Sequence, residues 1–186
     1  VGAGLGALTA RLEKQARRVL AVEIDPSFMP CLEDRFRESQ SVILFRGDIM
    51  NHELDELAAE YLPGGAQYKM VSNLPYYITT PILFEFWESS LHFERFVVMV
   101  QEEVALRMVA EPGSKDYGVL TLAAQVYAEA DLVHRVPASC FRPRPKVDSC
   151  IVRLRNRAEP YASGVSPAFL MRVIRAAFAQ RRKTLR

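Results

Sequence analysis

The chain has 186 residues, 49% hydrophobic and 25% charged, with a net charge of +2. That length suits one sizeable domain plus a small appendage, and the composition is that of a soluble globular protein. No apolar run approaches the roughly 18–20 residues of a membrane helix, so no membrane partner is expected, and Cys31, Cys140 and Cys150, with no metal-ligand spacing, argue for a reducing, cytoplasmic setting without disulfide, zinc or other metal site.

The pattern alternates from the start. A glycine loop, Gly2-Ala-Gly-Leu-Gly6, opens on a helix expected over 8–18, with Leu8, Leu12 and Ala16 at helical spacing. The run 19–24 reads as a buried strand ending at Asp25-Pro26, and 27–38 as a helix with Ser27 as candidate cap. A strand over 42–45 closes on Gly47-Asp48, a helix over 53–61 stops at Pro63-Gly64-Gly65, and 68–72 is a third strand. A helix from Thr80 to Trp87, a strand over 95–101 and a helix over 102–110 complete the rhythm. Such alternation is the signature of a doubly wound, largely parallel sheet. Beyond Pro112-Gly113 the pattern changes to a helix over 119–128 and two strands, 132–136 and 147–155, suited to an antiparallel edge. Residues 158–165 read as a linker, followed by a helix over 167–180. The expected division is therefore a catalytic domain at 1–157, and at 158–186 a linker with the beginning of a helical domain. Because Val1 opens directly on the glycine loop, a segment upstream of it is also expected.

Three strand ends carry the candidate chemistry. Glycines at 2, 4 and 6 permit a tight turn and close approach of a ligand to the backbone. Glu23 closes the next strand, where an acidic residue bonds ribose hydroxyls, and Asp48 closes the one after, where an adenine edge would lie. The loop is G-x-G-x-G and matches the dinucleotide pattern only loosely. None of His52, His92 and His134 sits at a convincing strand end for hydride chemistry. A methyl donor carrying adenosine fits better than a nicotinamide cofactor. Asn73-Leu-Pro-Tyr76 then ends the third strand. Proline removes a donor and restrains its neighbours, leaving the Asn73 oxygen and nearby carbonyls as rigid acceptors for an exocyclic amine, with Tyr76 as a stacking face for a base. A strand ending in a plain proline turn is the alternative. Charge is lopsided: residues 1–141 hold 12 Lys/Arg and 20 Asp/Glu, whereas 142–186 hold 12 Lys/Arg and two acids, Asp148 and Glu159. A basic end on an acidic body points to a polyanionic partner, nucleic acid ahead of a merely solvated face.

Taken together, Gly2-Ala-Gly-Leu-Gly-Ala-Leu-Thr9, Val22-Glu-Ile-Asp25, Gly47-Asp48, Asn73-Leu-Pro-Tyr-Tyr-Ile78, Val100-Gln-Glu-Glu-Val104, Tyr117-Gly118 and Cys140-Phe-Arg-Pro-Arg-Pro-Lys-Val-Asp-Ser149 resemble the ribosomal RNA adenine N6-dimethyltransferases, in order and rough spacing along essentially the whole chain. The ending Phe178-Ala-Gln-Arg-Arg-Lys-Thr-Leu-Arg186 is similar to the start of that family's small C-terminal domain and favours it over the related Erm resistance methylases of large-subunit rRNA. Ala3 stands where the family usually carries proline.

The resemblance implies a Rossmann-like class I S-adenosylmethionine-dependent methyltransferase fold. It also implies dimethylation of two adjacent adenosines in a 3′-terminal hairpin of small-subunit rRNA, by a monomer acting on the immature 30S subunit. An Erm-type enzyme and a non-catalytic nucleic-acid-binding relative are the alternatives. Carried over, Gly2, Gly4 and Gly6 would pack against the cofactor, Glu23 would hold its ribose, Asp48 its adenine amine, and Ile24 and Ile49 would flank the ring. Asn73, shared between cofactor and substrate, and the Leu74 carbonyl would hold the target amine beside Pro75. Tyr76 and Phe141 would stack the extruded base. Arg142, Arg144 and Lys146, with Arg181, Arg182 and Lys183, would meet RNA phosphates.

Overall fold

The computed structural model describes residues 1–65, 67–158, 161 and 164–179, and it divides into two compact units, Val1–His92 and Phe93–Arg186.

In the first unit, β1 (Val19–Glu23) pairs in parallel with β2 (Val42–Arg46), Val19 opposite Val42 and Glu23 opposite Arg46. The expected helix over 8–18 forms only as α1, Thr9–Leu12; beyond it the Leu12 carbonyl accepts from both Gln15 and Ala16. Leu8 is 40% exposed and Ala16 is exposed, so its apolar stripe is not buried, and a short helix without a packed face is not sustained. After β1 the cap is Asp25 rather than Ser27. Its carboxylate accepts from the Ser27 N–H over a 3-10 turn, Pro26–Phe28, which leads into α2 (Met29–Arg35). Pro26 and Pro30 occupy first-turn positions, where no amide donor is needed. The end of β2 repeats the device: Asp48 caps the turn Ile49–Asn51 ahead of α3 (Leu54–Tyr61). β3 (Tyr68–Asn73) and α4 (Thr79–Glu88) follow. Ala21 and Val22 of β1, Leu32 and Phe36 at α2, Leu57 of α3, and Ile82 and Leu83 of α4 are buried, each large side chain contributing about 1.5–3 kcal/mol by leaving water.

The second unit is antiparallel among its own strands. β6 (Ser149–Asn156) pairs with β4 (Phe93–Gln101) on one side and with β5 (Ala128–Val136) on the other. The expected antiparallel edge is therefore present, with β5 starting at Ala128, directly after α6 (Val119–Tyr127). Between Leu132 and His134 the register shifts, leaving Val133 as the extra residue of a bulge. Phe96, Val98, Val100, Val152 and Leu154 are fully buried, the alternation expected of strands with one packed face. α5 (Glu102–Met108) follows β4, and α7 (Pro167–Phe178) is capped by the Ser166 hydroxyl, which accepts from Phe169 N–H at 3.2 Å. Met171 and Ile174 of α7 are buried, and Phe178 lies against the Tyr117 ring at 6.4 Å.

Candidate active site

The glycine loop is strapped to the rest of its unit. Gly6 has a φ of +77°, and a Cβ built there would lie 2.8 Å from the Phe36 ring and 3.0 Å from Leu32 Cδ2. The Arg35 guanidinium donates to the Leu5 carbonyl at 3.0 Å, so Leu32, Arg35 and Phe36, on one side of α2 and its end, all meet loop residues 5 and 6. On its other flank Gly4 N–H donates to Glu23 Oε2 at 2.7 Å. Glu23 is 5% exposed, and its Oε1 accepts from Asp25 N–H at 2.9 Å. A buried carboxylate thus fixes both the loop and the turn after β1. Gly6→Ala should combine left-handed strain of about 1 kcal/mol with displacement of Phe36. We expect a lowered midpoint in chemical denaturation and at least tenfold weaker nucleotide binding by calorimetry.

The loop also passes the end of β3. A Cβ at Gly2 would sit 3.7 Å from the Asn73 carbonyl oxygen, and the Ser72 hydroxyl donates to the Val1 carbonyl at 2.5 Å. The structure therefore brings Gly2, Gly4, Gly6, Glu23 and Asn73 together at one edge of the first unit. At the end of β2, Asp48 Oδ1 accepts from Met50 N–H at 3.0 Å, which orients the carboxylate and leaves Oδ2 without a bond among the described residues. Hydrogen bonds from Ser27, its hydroxyl first and then its N–H, hold the Asp25 carboxyl below the usual range. Ile24 is 56% exposed, whereas Ile49 is buried beneath its turn. At Gly47 a Cβ would lie 2.6 Å from the Phe45 ring and 3.0 Å from His52 Nε2, so a larger residue there would have to displace the Phe45 ring.

Within Asn73-Leu-Pro-Tyr the carbonyls are unequal. That of Pro75 is taken, accepting from Ile78 N–H and the Thr79 hydroxyl, each at 3.1 Å. No donor among the described residues of the first unit reaches the Leu74 carbonyl or the exposed Asn73 side chain. The Leu74 side chain is 1% exposed and anchors the turn, and Tyr76 is half-buried. This is a pair of unspent acceptors on a fixed turn.

The other residues singled out in the sequence belong to the second unit. Phe141 is half-buried, directly after the 3-10 turn Ala138–Cys140, and Arg142, Arg144 and Lys146 are exposed. Arg181, Arg182 and Lys183 lie outside the described residues. No group of three or more His, Cys, Asp or Glu among the described residues could hold a metal, and none of their helices is long and apolar enough to cross a membrane. Sequence reasoning missed Arg35 and Asp148, whose carboxylate accepts from Ala138 N–H and pairs with Arg135. Their contacts join residues far apart in the chain, and no local pattern marks them.

The family profile described as ribosomal RNA adenine dimethylase matches residues 1–186. The chain is 43% identical over 185 residues to ribosomal RNA small subunit methyltransferase A of Bacillus cytotoxicus, and 44% identical to the protein of that name from Bacillus mycoides. Each alignment covers 100% of this chain and 63% of the relative, so the chain spans somewhat less than two thirds of their length. Among solved structures, a dimethyladenosine transferase from Plasmodium falciparum superposes with a TM-score of 0.80 at 29% identity, over 99% of this chain and 63% of that one. The 23S rRNA methyltransferase ErmE gives 0.77 at 29% identity, over 96% of this chain and 68% of its own. These likenesses establish the class I S-adenosylmethionine-dependent methyltransferase fold. By the match along its full length and the identity to its curated relatives, the chain belongs to the ribosomal RNA adenine dimethylase family.

Proposed function

We propose that the chain carries the catalytic part of an S-adenosylmethionine-dependent enzyme that dimethylates N6 of two adjacent adenosines in a small-subunit rRNA hairpin. The enzyme acts as a cytoplasmic monomer on the immature 30S subunit, and residues 158–186 begin a helical RNA-binding domain. The observation that carries this reading is the pair of unspent acceptors, the Asn73 side chain and the Leu74 carbonyl, beside the glycine loop.

The residues present fit the cofactor. The loop turns through three glycines of positive φ beside a buried carboxylate, and the second oxygen of Asp48 suits an adenine amine. Gly2, Gly4 and Gly6 would allow close backbone approach, Glu23 would hold ribose hydroxyls, and exposed Ile24 would cover one face of the ring. When bound, S-adenosylmethionine supplies a methyl group on a sulfonium.

The protein's own part concerns the amine. The N6 lone pair of adenine is delocalised into the ring and is a poor nucleophile. Asn73 Oδ1 and the Leu74 carbonyl, accepting its two hydrogens, would draw the nitrogen toward a tetrahedral shape and stabilise positive charge as it develops. Holding the amine at the methyl donor supplies much of the remaining acceleration. Unstacking the base costs a few kcal/mol, which the Tyr76 and Phe141 faces would partly offset. Arg142, Arg144 and Lys146, with Arg181 to Lys183, would grip phosphates.

The test is methyl transfer from labelled cofactor by the full-length protein, offered small-subunit and large-subunit rRNA separately. Mass spectrometry should find N6,N6-dimethyladenosine in the small-subunit RNA. Methylation of the large-subunit RNA instead would establish the Erm-type reading, and no product on either would refute catalysis.

A further inference from the structure

The connector from β5 to β6, residues 137–148, is closed at its base by one carboxylate. Asp148 Oδ1 accepts from Ala138 N–H at 2.9 Å, its Oδ2 lies 3.1 Å from Arg135 Nη2, and its own carbonyl accepts from Glu102 N–H at 3.0 Å. Arg135 in turn pairs with Glu102, Nε to Oε1 at 2.9 Å. The start of α5, the end of β5 and the start of β6 are therefore tied at this residue.

Cations in this unit fall into two classes. On β5 and β6, opposite-charge residues face each other across the ladder. Arg153 meets Asp131 at 2.9 Å, Arg155 meets the same carboxylate at 3.1 Å, and Arg157 meets Glu129 at 3.3 Å and lies over the Tyr161 ring. Arg142, Arg144 and Lys146 are exposed and have no carboxylate partner among the described residues. Pro143 and Pro145 stand between them and restrict the backbone of the segment. Three unpaired cations beside a half-buried phenylalanine suit a nucleic-acid strand, with guanidinium forks on phosphates and a ring for a base.

We propose that Asp148 is the positioning residue that presets the 141–147 loop for the phosphate contacts assigned to it above, and that the β5–β6 arginines take no part in those contacts. The proposal rests on the RNA-directed reading above. Removing the Asp148 carboxylate orphans Ala138 N–H and releases one side of Arg135, so the loop must be ordered anew on each binding event.

The experiment uses the full-length protein and a fluorescently labelled RNA hairpin with adjacent unpaired adenosines, titrated by anisotropy across a salt series. Asp148→Ala should weaken RNA binding about 5- to 10-fold, the loss expected from freeing one or two ordered side chains, with S-adenosylmethionine affinity unchanged. Asp148→Asn retains an acceptor for Ala138 and should fall in between, which keeps the question answerable if the alanine variant does not fold. The R142Q/R144Q/K146Q variant should lower the slope of log affinity against log salt by about 2–3, whereas R153Q/R155Q should leave it in place. Wild-type RNA affinity in both Asp148 variants, or an equal loss of slope in R153Q/R155Q, would overturn the proposal. A wild-type protein that binds the hairpin with these dependences but transfers no methyl group would refute the catalytic reading and leave the loop assignment standing.

Discussion

Asn73→Ala is expected to reduce methyl transfer at least about a hundredfold, the usual cost of losing one preorganised hydrogen-bonding group aimed at developing charge. The fold should survive, because the Asn73 side chain is exposed and makes no hydrogen bond among the described residues, and such substitutions usually shift stability by within about 0.5 kcal/mol. Asn73→Asp keeps an acceptor oxygen at the same place and should retain more activity than the alanine variant. The measurement is single-turnover methyl transfer on rRNA by the full-length protein, with circular dichroism as the folding control. Near-normal turnover in the alanine variant would sink the acceptor mechanism, and equal loss in both variants would assign the effect to shape rather than to hydrogen bonding.

The second large effect is expected at Glu23, where one side chain has a double task. Its carboxylate holds Gly4 N–H and Asp25 N–H from a buried position. Glu23→Ala orphans both donors at about 1–3 kcal/mol each, so unfolding free energy should fall by roughly 2–4 kcal/mol after partial relief by water. The glycine loop also loses its anchor on that flank. Binding of S-adenosylmethionine should then become undetectable by calorimetry at concentrations that saturate the unaltered protein. Glu23→Gln separates the two tasks. Its amide oxygen can serve one of the two donors, so it should recover part of the stability while ribose binding stays weak. An alanine variant as stable as the parent would show that the loop is held by its other contacts, those of Arg35, Phe36 and the Ser72 hydroxyl.

Much of this arrangement was legible in the residues. Glycines, acids and Asn73-Leu-Pro-Tyr stand at strand ends because ligands in open α/β sheets gather there, and local sequence suffices to find strand ends. The strands β1 to β4 and β6 likewise follow from apolar runs bounded by turn residues. Most of what stayed hidden depends on partners distant in sequence. The helix after the glycine loop stops at Leu12 because its apolar stripe is not buried, which periodicity alone does not reveal. Ser27 has the chemistry of a cap, but Asp25 stands before Pro26 and reaches the turn first. The basic character of residues 142–186 is plain in the sequence, yet strand register matches Arg153 and Arg155 with Asp131, and Arg157, just past β6, meets Glu129. Counting charge by segment therefore overstates the cations left for a polyanion.

The bulge at Val133 gives β5 a tolerance for changes in chain length. Leu132 lies opposite Val152 and His134 opposite Ile151, so Val133 is the one residue of that stretch with no counterpart on β6. Deleting it would turn the bulge into regular ladder and leave Arg135 opposite Cys150. An insertion or deletion between His134 and Arg135 has no such slack: it would carry Arg135 to the other face of the strand, away from Glu102 and Asp148. Natural length variation in this strand should therefore collect at Val133 and be excluded from the residues that follow.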